Sequence, residues 1–311
     1  MIIGGAALVL WGADRLTDGA VALAGRMRIP QLVIGLTIVA LGTSAPEFCV
    51  SLVSALKGTA DLAVGNVIGS NVFNTMLIVG VAAVVAPMSI LPLTVKRDIP
   101  VSILASIALA AMVMLDGEVS RLDAALLFVG FLAFMWFTLR NAKAGSDASE
   151  EAPTSQLSLW KAVGLLLLGL ACLVVGSNVF VDGATAIAQQ LGVSEAVIGL
   201  TIVAGGTSLP ELATTVVAAR KGNSGIAIGN VLGSNVMNVV LIVGGAGLIC
   251  PMKVEGITWV DFAMLAGSVL LLWLFCFTKY TVARWEGALL SALFFGYMAW
   301  LVIHSIQNKY M

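Results

Sequence analysis

Residues 34–74 and 198–238 are two copies of one segment, and this repeat constrains the chain more than any other feature. The copies align without a gap at a constant offset of 164, with 25 of 41 positions identical. Fainter echoes keep the same offset: Asp18-Gly19-Ala20 with Asp182-Gly183-Ala184, and Pro87-Met88 with Pro251-Met252. A chain that repeats itself over such a length folds as related units that pack on each other.

The medium follows from composition. Only 11% of residues are charged and 59% are hydrophobic, with a mean hydropathy of +1.04. Soluble domains carry roughly 25% charged residues, so this chain belongs in a bilayer, where a spanning helix takes about 20 apolar residues. Ten spans are expected, at 2–25, 31–56, 61–85, 98–116, 121–139, 159–190, 194–219, 225–249, 259–277 and 284–304. The first starts at Ile2 with no basic stretch before it and reads as a span rather than a cleaved signal peptide. The polar stretch 140–157 reads as a cytoplasmic linker between a first repeat at 1–139 and a second at 158–311.

Each repeat holds five spans, an odd number, so the second copy enters the membrane from the opposite side. The expected fold is an all-α integral membrane protein of ten transmembrane helices, arranged as two inverted five-helix repeats with helices 2 and 7 broken. Transporters are built this way, with the site at the midplane where the repeats meet. Eleven Lys and Arg residues fall in the loops on one side and four on the other. The positive-inside rule then places both termini outside the cell membrane.

The same residues exclude several functions. A net charge of −1 offers nothing to nucleic acid. Cys49, Cys172, Cys250 and Cys276 lie scattered in apolar segments and read as small buried hydrophobes. The single His304 cannot build a histidine site. No nucleophile–base pair or catalytic metal motif appears, so no enzyme activity and no cofactor are expected. Lipid is the expected surrounding, and a monomer the expected working unit.

Each copy carries Gly-Thr-Ser-x-Pro-Glu inside a span, at Gly42 to Glu47 and at Gly206 to Glu211. Pro46 has no N–H and clashes with the carbonyl four residues back, so the helix breaks there. Ser44-x-x-Glu47 also reads as a capping box with Pro in the first turn. Carbonyls near Ala40 to Gly42, and near Ala204 to Gly206, then need partners that lipid cannot give. A plain kink with a cap would explain Ser44 and Pro46, but not Glu47 and Glu211. A charge at the bilayer centre costs about 2.5–3.5 kcal/mol on insertion scales. Two such carboxylates meeting near the midplane share a proton or hold a cation.

The following span reads Gly65-Asn66-Val67-Ile68-Gly69-Ser70-Asn71-Val72-Phe73-Asn74 in one copy and runs from Gly229 to Asn238 in the other. The glycines four apart, Gly65 with Gly69 and Gly229 with Gly233, suit close helix packing. Ser70 and Asn74 share a face, as do Ser234 and Asn238. Together with the carboxylates and carbonyls they supply only hard oxygen ligands, which disfavours soft metals. Calcium accepts about 6–8 oxygens in flexible geometry, and two glutamates balance one divalent or two monovalent cations. Calcium and a monovalent ion competing for one cage is the expected chemistry.

The doubled G-T-S-x-P-E and G-S-N-x-x-N motifs resemble the α-repeats of the calcium/cation antiporter superfamily, most closely the prokaryotic sodium/calcium exchangers. The resemblance implies alternating access, with the first and sixth spans sliding across an ion-holding core. It implies calcium and sodium ligands at Glu47 and Glu211, carbonyls and hydroxyls at Ala40, Thr43, Ser44, Ala204, Thr207 and Ser208, serines at Ser70 and Ser234, and an amide at Asn74. Asn238 stands where the archaeal exchanger pattern has Asp; the missing charge argues against potassium co-transport. A proton/calcium exchanger using the same glutamates is the rival within transport, and a cation channel the rival outside it. Arg15, Asp18 and Asp182 are expected to pair within the bundle or to sit at an interface, with a gating role as the alternative, and Lys57 and Lys221 to anchor span ends. Trp11, Trp160, Trp259, Trp285 and Trp300 fit an aromatic belt.

Overall fold

The computed structural model describes the backbone of residues 1–142, 157–191 and 204–310, and within these every side chain except those at 204, 278 and 302–310. Most of the linker at 140–157 and the start of the span at 194–219 lie outside the described residues. The described residues are helical nearly throughout. Helix α1 is Ile2–Met27. The bent pair α2 (Gln31–Thr43) and α3 (Ala45–Leu56) follows, then α4 (Ala60–Val85), α5 (Thr94–Asp116) and α6 (Arg121–Ala142). Beyond the linker come α7 (Leu159–Gln190), α8 (Ala204–Thr207), α9 (Leu209–Arg220), α10 (Ser224–Ile249), α11 (Trp259–Lys279) and α12 (Arg284–Tyr310). Among the described residues six helices are long and apolar enough to cross a membrane, seven if the α2–α3 pair is one span. Helix α1 is as long but carries Asp14, Arg15 and Asp18 along its middle.

Contacts between the halves follow the 164-residue offset. Helices α1 and α7 pack antiparallel through glycines seven apart: Gly5, Gly12 and Gly19 on one, Gly169, Gly176 and Gly183 on the other. A Cβ on Gly12 would come 2.9 Å from the Gly169 carbonyl oxygen, and one on Gly169 would come 2.7 Å from that of Gly12. Two backbones can approach this closely only where no side chain intervenes. Two short antiparallel clips tie the halves reciprocally. Strand β1 (Met88–Ser89) pairs with β4 (Thr281–Val282), and β2 (Glu118–Val119) with β3 (Met252–Lys253).

The centre of the molecule is α10, where every residue from Gly225 to Val240 is buried. Gly229 and Gly233 let it lie against α2: a Cβ on either would meet the carbonyl oxygen of Leu32 at 2.7 Å or of Leu36 at 2.6 Å. The packing role expected for these glycines is therefore real in the second copy. No described atom lies within 4 Å of a Cβ built on Gly65 or Gly69, so the first pair makes no such contact here. Outer helices carry exposed apolar side chains, such as Leu122, Leu126, Val129 and Trp136 on α6. Trp11, Trp160, Trp259 and Trp285 are exposed as well. Of the cysteines only Cys276 is buried, and Cys49 is exposed rather than in a core.

Candidate ion-binding site

Both breaks are a single residue wide. Ser44 (φ −81°, ψ 6°) separates α2 from α3, with Pro46 in the first turn of α3 and a 49° bend between the helices. Ser208 (φ −91°, ψ 8°) separates α8 from α9 in the same way, ahead of Pro210. Glu47 and Glu211 occupy the first turns of α3 and α9, where the helix dipole and unpaired N–H groups favour negative charge. Each glutamate is only 1% exposed.

The expected capping boxes do not form. Neither serine side chain caps its own helix. The hydroxyls reach across to the other copy instead: Ser44 Oγ donates to Glu211 Oε1 at 2.9 Å, and Ser208 Oγ donates to Glu47 Oε1 at 2.9 Å. A hydrogen bond to a buried carboxylate is stronger than one to a main-chain N–H. Thr207 lies beside Glu47, and Thr43 and Ser234 lie beside Glu211. Ser70 Oγ lies 3.5 Å from Ser208 Oγ. The unwound stretch is shorter than expected, because the Ala40 carbonyl accepts from the Ser44 N–H at 3.0 Å and from Thr43 Oγ1 at 3.4 Å. The backbone of Ala204 begins α8.

Asparagines brace this core. Asn66 Nδ2 donates to the Glu47 carbonyl at 3.3 Å and to Ser51 Oγ at 2.9 Å. Asn230 Nδ2 does the same in the second copy, to the Glu211 carbonyl at 3.4 Å and Thr215 Oγ1 at 3.0 Å. Asn230 Oδ1 also accepts from Thr43 Oγ1 at 3.0 Å. Asn74 Nδ2 donates to Asn235 Oδ1 at 3.2 Å, and Asn238 Nδ2 to Asn71 Oδ1 at 3.0 Å. Asn74 and Asn238 lie on π-turns, Phe73–Ile78 and Asn238–Val243, which interrupt α4 and α10 just after the G-S-N motif. Such turns are frequent at functional sites. Sequence reasoning missed Asn66, Asn71, Asn230 and Asn235 as structural members of the site, although all four are identical between the copies.

What these bonds leave over defines the chemistry. Glu47 Oε2, Glu211 Oε2, Asn74 Oδ1, Asn238 Oδ1 and Ser234 Oγ are buried without a hydrogen-bond partner among the described residues. Buried polar atoms are normally paired. Five orphan oxygens on expected site residues, two of them on carboxylates, fit a hard cation.

At the α1–α9 contact, Lys221 Nζ bonds Asp14 and, at 2.7 Å, Asp18. Arg15 pairs with Asp14 and lies 3.8 Å from Asp18. Lys221 therefore joins α9 to α1, which is more than anchoring a span end. Among the described residues no ion pair involves Lys57 or Asp182.

Comparison with known proteins gives concordant matches. A family model described as sodium/calcium exchanger protein matches residues 1–140 and 161–303. The inner membrane protein YrbG of Escherichia coli is 36% identical over 315 residues, covering 97% of this chain and 95% of that one. The sodium/calcium exchanger MaX1 of Methanosarcina acetivorans is 33% identical over 339 residues, covering 96% of each. A solved structure of the sodium-calcium exchanger NCX_Mj, soaked with zero Na+ and Ca2+, superposes with a TM-score of 0.84 at 33% identity, covering 96% of this chain and 97% of that one.

Proposed function

The chain belongs to the sodium/calcium exchanger family, and from that premise we propose that it is a secondary active antiporter exchanging calcium for sodium at one buried site by alternating access. The observation that carries this is the crossed pair of bonds, Ser44 to Glu211 and Ser208 to Glu47. Each half supplies ligands that the other half holds, so the cage closes only when both halves meet. The ligands are Glu47, Glu211, Asn74, Asn238, Ser44, Ser208, Thr43, Thr207, Ser70 and Ser234, with the carbonyls of Ala40 and Ala204.

Function follows from charge and overlap. Two carboxylates neutralise one calcium ion, and sodium ions occupying the same oxygens exclude it. Binding of one ion therefore requires loss of the other, and that mutual exclusion couples their movements. Sodium lacks the charge to hold both carboxylates alone, so more than one sodium must enter for each calcium displaced.

The architecture in this reading is ten spans in two inverted five-helix repeats, with both termini outside. The reciprocal clips, the paired glycine ladders of α1 and α7 and the symmetric asparagine bonds support the repeat relation, and the Lys and Arg distribution supports the orientation. The α1–α7 pair, brought into close backbone contact by its glycines, is the unit that slides. The test is calcium uptake into proteoliposomes with sodium, potassium and proton gradients imposed one at a time. Only the outward sodium gradient should drive uptake. Uptake driven by a proton gradient in sodium-free medium would replace sodium with protons in this account.

A further inference from the structure

Asn71 has no place among the proposed ligands, yet its amide is bonded at both ends. Its Nδ2 donates to the main-chain carbonyl of Asn235 at 2.9 Å. A carbonyl oxygen can only accept, so this bond fixes which end of the Asn71 amide is nitrogen. The Oδ1 end is then an acceptor, and it accepts from Asn238 Nδ2 at 3.0 Å. That commits the nitrogen of Asn238 and leaves its Oδ1, buried and without a partner among the described residues, as the end a cation can use. The matching arrangement around Asn74 is less strict. Asn74 Nδ2 donates to Asn235 Oδ1, and Asn235 Nδ2 donates to Thr75 Oγ1 at 2.7 Å. A hydroxyl can donate or accept, so it permits that orientation without imposing it. At the position equivalent to Thr75 the second copy has Val239, which has no polar group.

We propose that Asn71 is a positioning residue: through its bond to the Asn235 carbonyl it holds the Asn238 amide with the oxygen, not the NH2 group, presented to the ion. This rests on Asn238 being a ligand. Where the archaeal pattern has a carboxylate at this position, either oxygen serves and no orientation is needed. An amide in its place needs a lock, because its wrong face repels a cation. Without Asn71 the amide is free to turn, and each binding event must first turn it back.

The test is a double-mutant cycle on the purified full-length protein, reading calcium affinity by calorimetry. Asn71→Ala should weaken calcium binding about tenfold beside Asn238, and less than about threefold beside Asn238→Asp, whose two oxygens are equivalent. Asn71→Leu, closer in volume, should repeat the pattern if the alanine variant does not fold. An equal loss in both backgrounds would show that Asn71 only holds helices together. Wild-type protein that binds no sodium-displaceable calcium would overturn the exchanger reading itself, and this inference with it.

Discussion

Ser44 and Glu211 belong to different copies of the repeat, yet the Ser44 hydroxyl lies 2.9 Å from Glu211 Oε1 and both residues are buried. The swapped pair, Ser208 with Glu47, has the same distance. The site is thus one object made of two half-sites, and its symmetry makes quantitative demands.

The first concerns the serines. Ser44→Ala and Ser208→Ala each remove a hydroxyl bonded to a charged group, worth about 1.5–3 kcal/mol. Calcium affinity measured on purified protein should fall roughly tenfold or more in each. The two losses should match. A loss in one variant and none in the other would break the symmetry on which the site is built.

The second concerns the α1–α7 contact. Gly12→Val drives a branched side chain into the Gly169 carbonyl and should destabilise the protein by about 1–3 kcal/mol. No described atom lies within 4 Å of a Cβ on Gly4, so Gly4→Ala should be neutral or stabilising by up to about 1 kcal/mol. Thermal unfolding in detergent separates the two. Equal melting temperatures would show that the helices do not touch through glycine.

Much of this was legible in the sequence. The break ahead of Pro46, the burial of both glutamates and the largely helical, apolar character of the chain follow from local rules and the repeat. The serine partners were not legible, because Ser44-x-x-Glu47 satisfies a local capping pattern while the actual acceptor sits 167 positions away. The roles of Asn66, Asn71, Asn230 and Asn235 were hidden for a related reason. A polar side chain in a membrane helix bonds whatever donor or acceptor packing brings to it, and sequence does not name that partner. The glycines spaced by seven on α1 and α7 carried a readable signal that span-finding by hydropathy ignores.

A third prediction uses Lys221. In this arrangement it joins Asp14 and Asp18. The 164-residue offset maps Lys221 to Lys57 and Asp18 to Asp182. A state in which the copies exchange conformations should therefore pair Lys57 with Asp182 and release Lys221. Cysteine pairs at 18/221 and 57/182 should cross-link in competition, so that a condition raising one lowers the other. Both rising together would exclude such an exchange.

The fourth prediction is topological. A cysteine placed within 140–157 should be shielded from an impermeant thiol reagent outside intact cells, and one placed after Asn308 should be labelled. The reverse pattern would invert the orientation proposed from the Lys and Arg distribution.

The central claim is that Glu47 and Glu211 jointly hold the calcium ion. Radioactive calcium uptake into sodium-loaded proteoliposomes, with wild type beside Glu47→Gln and Glu211→Gln, tests it most directly. Either change leaves one negative charge for a divalent ion and a neutral amide of similar shape. Each variant should fold, insert and lose uptake to the level of empty vesicles. Wild-type uptake by either variant would contradict the two-carboxylate cage.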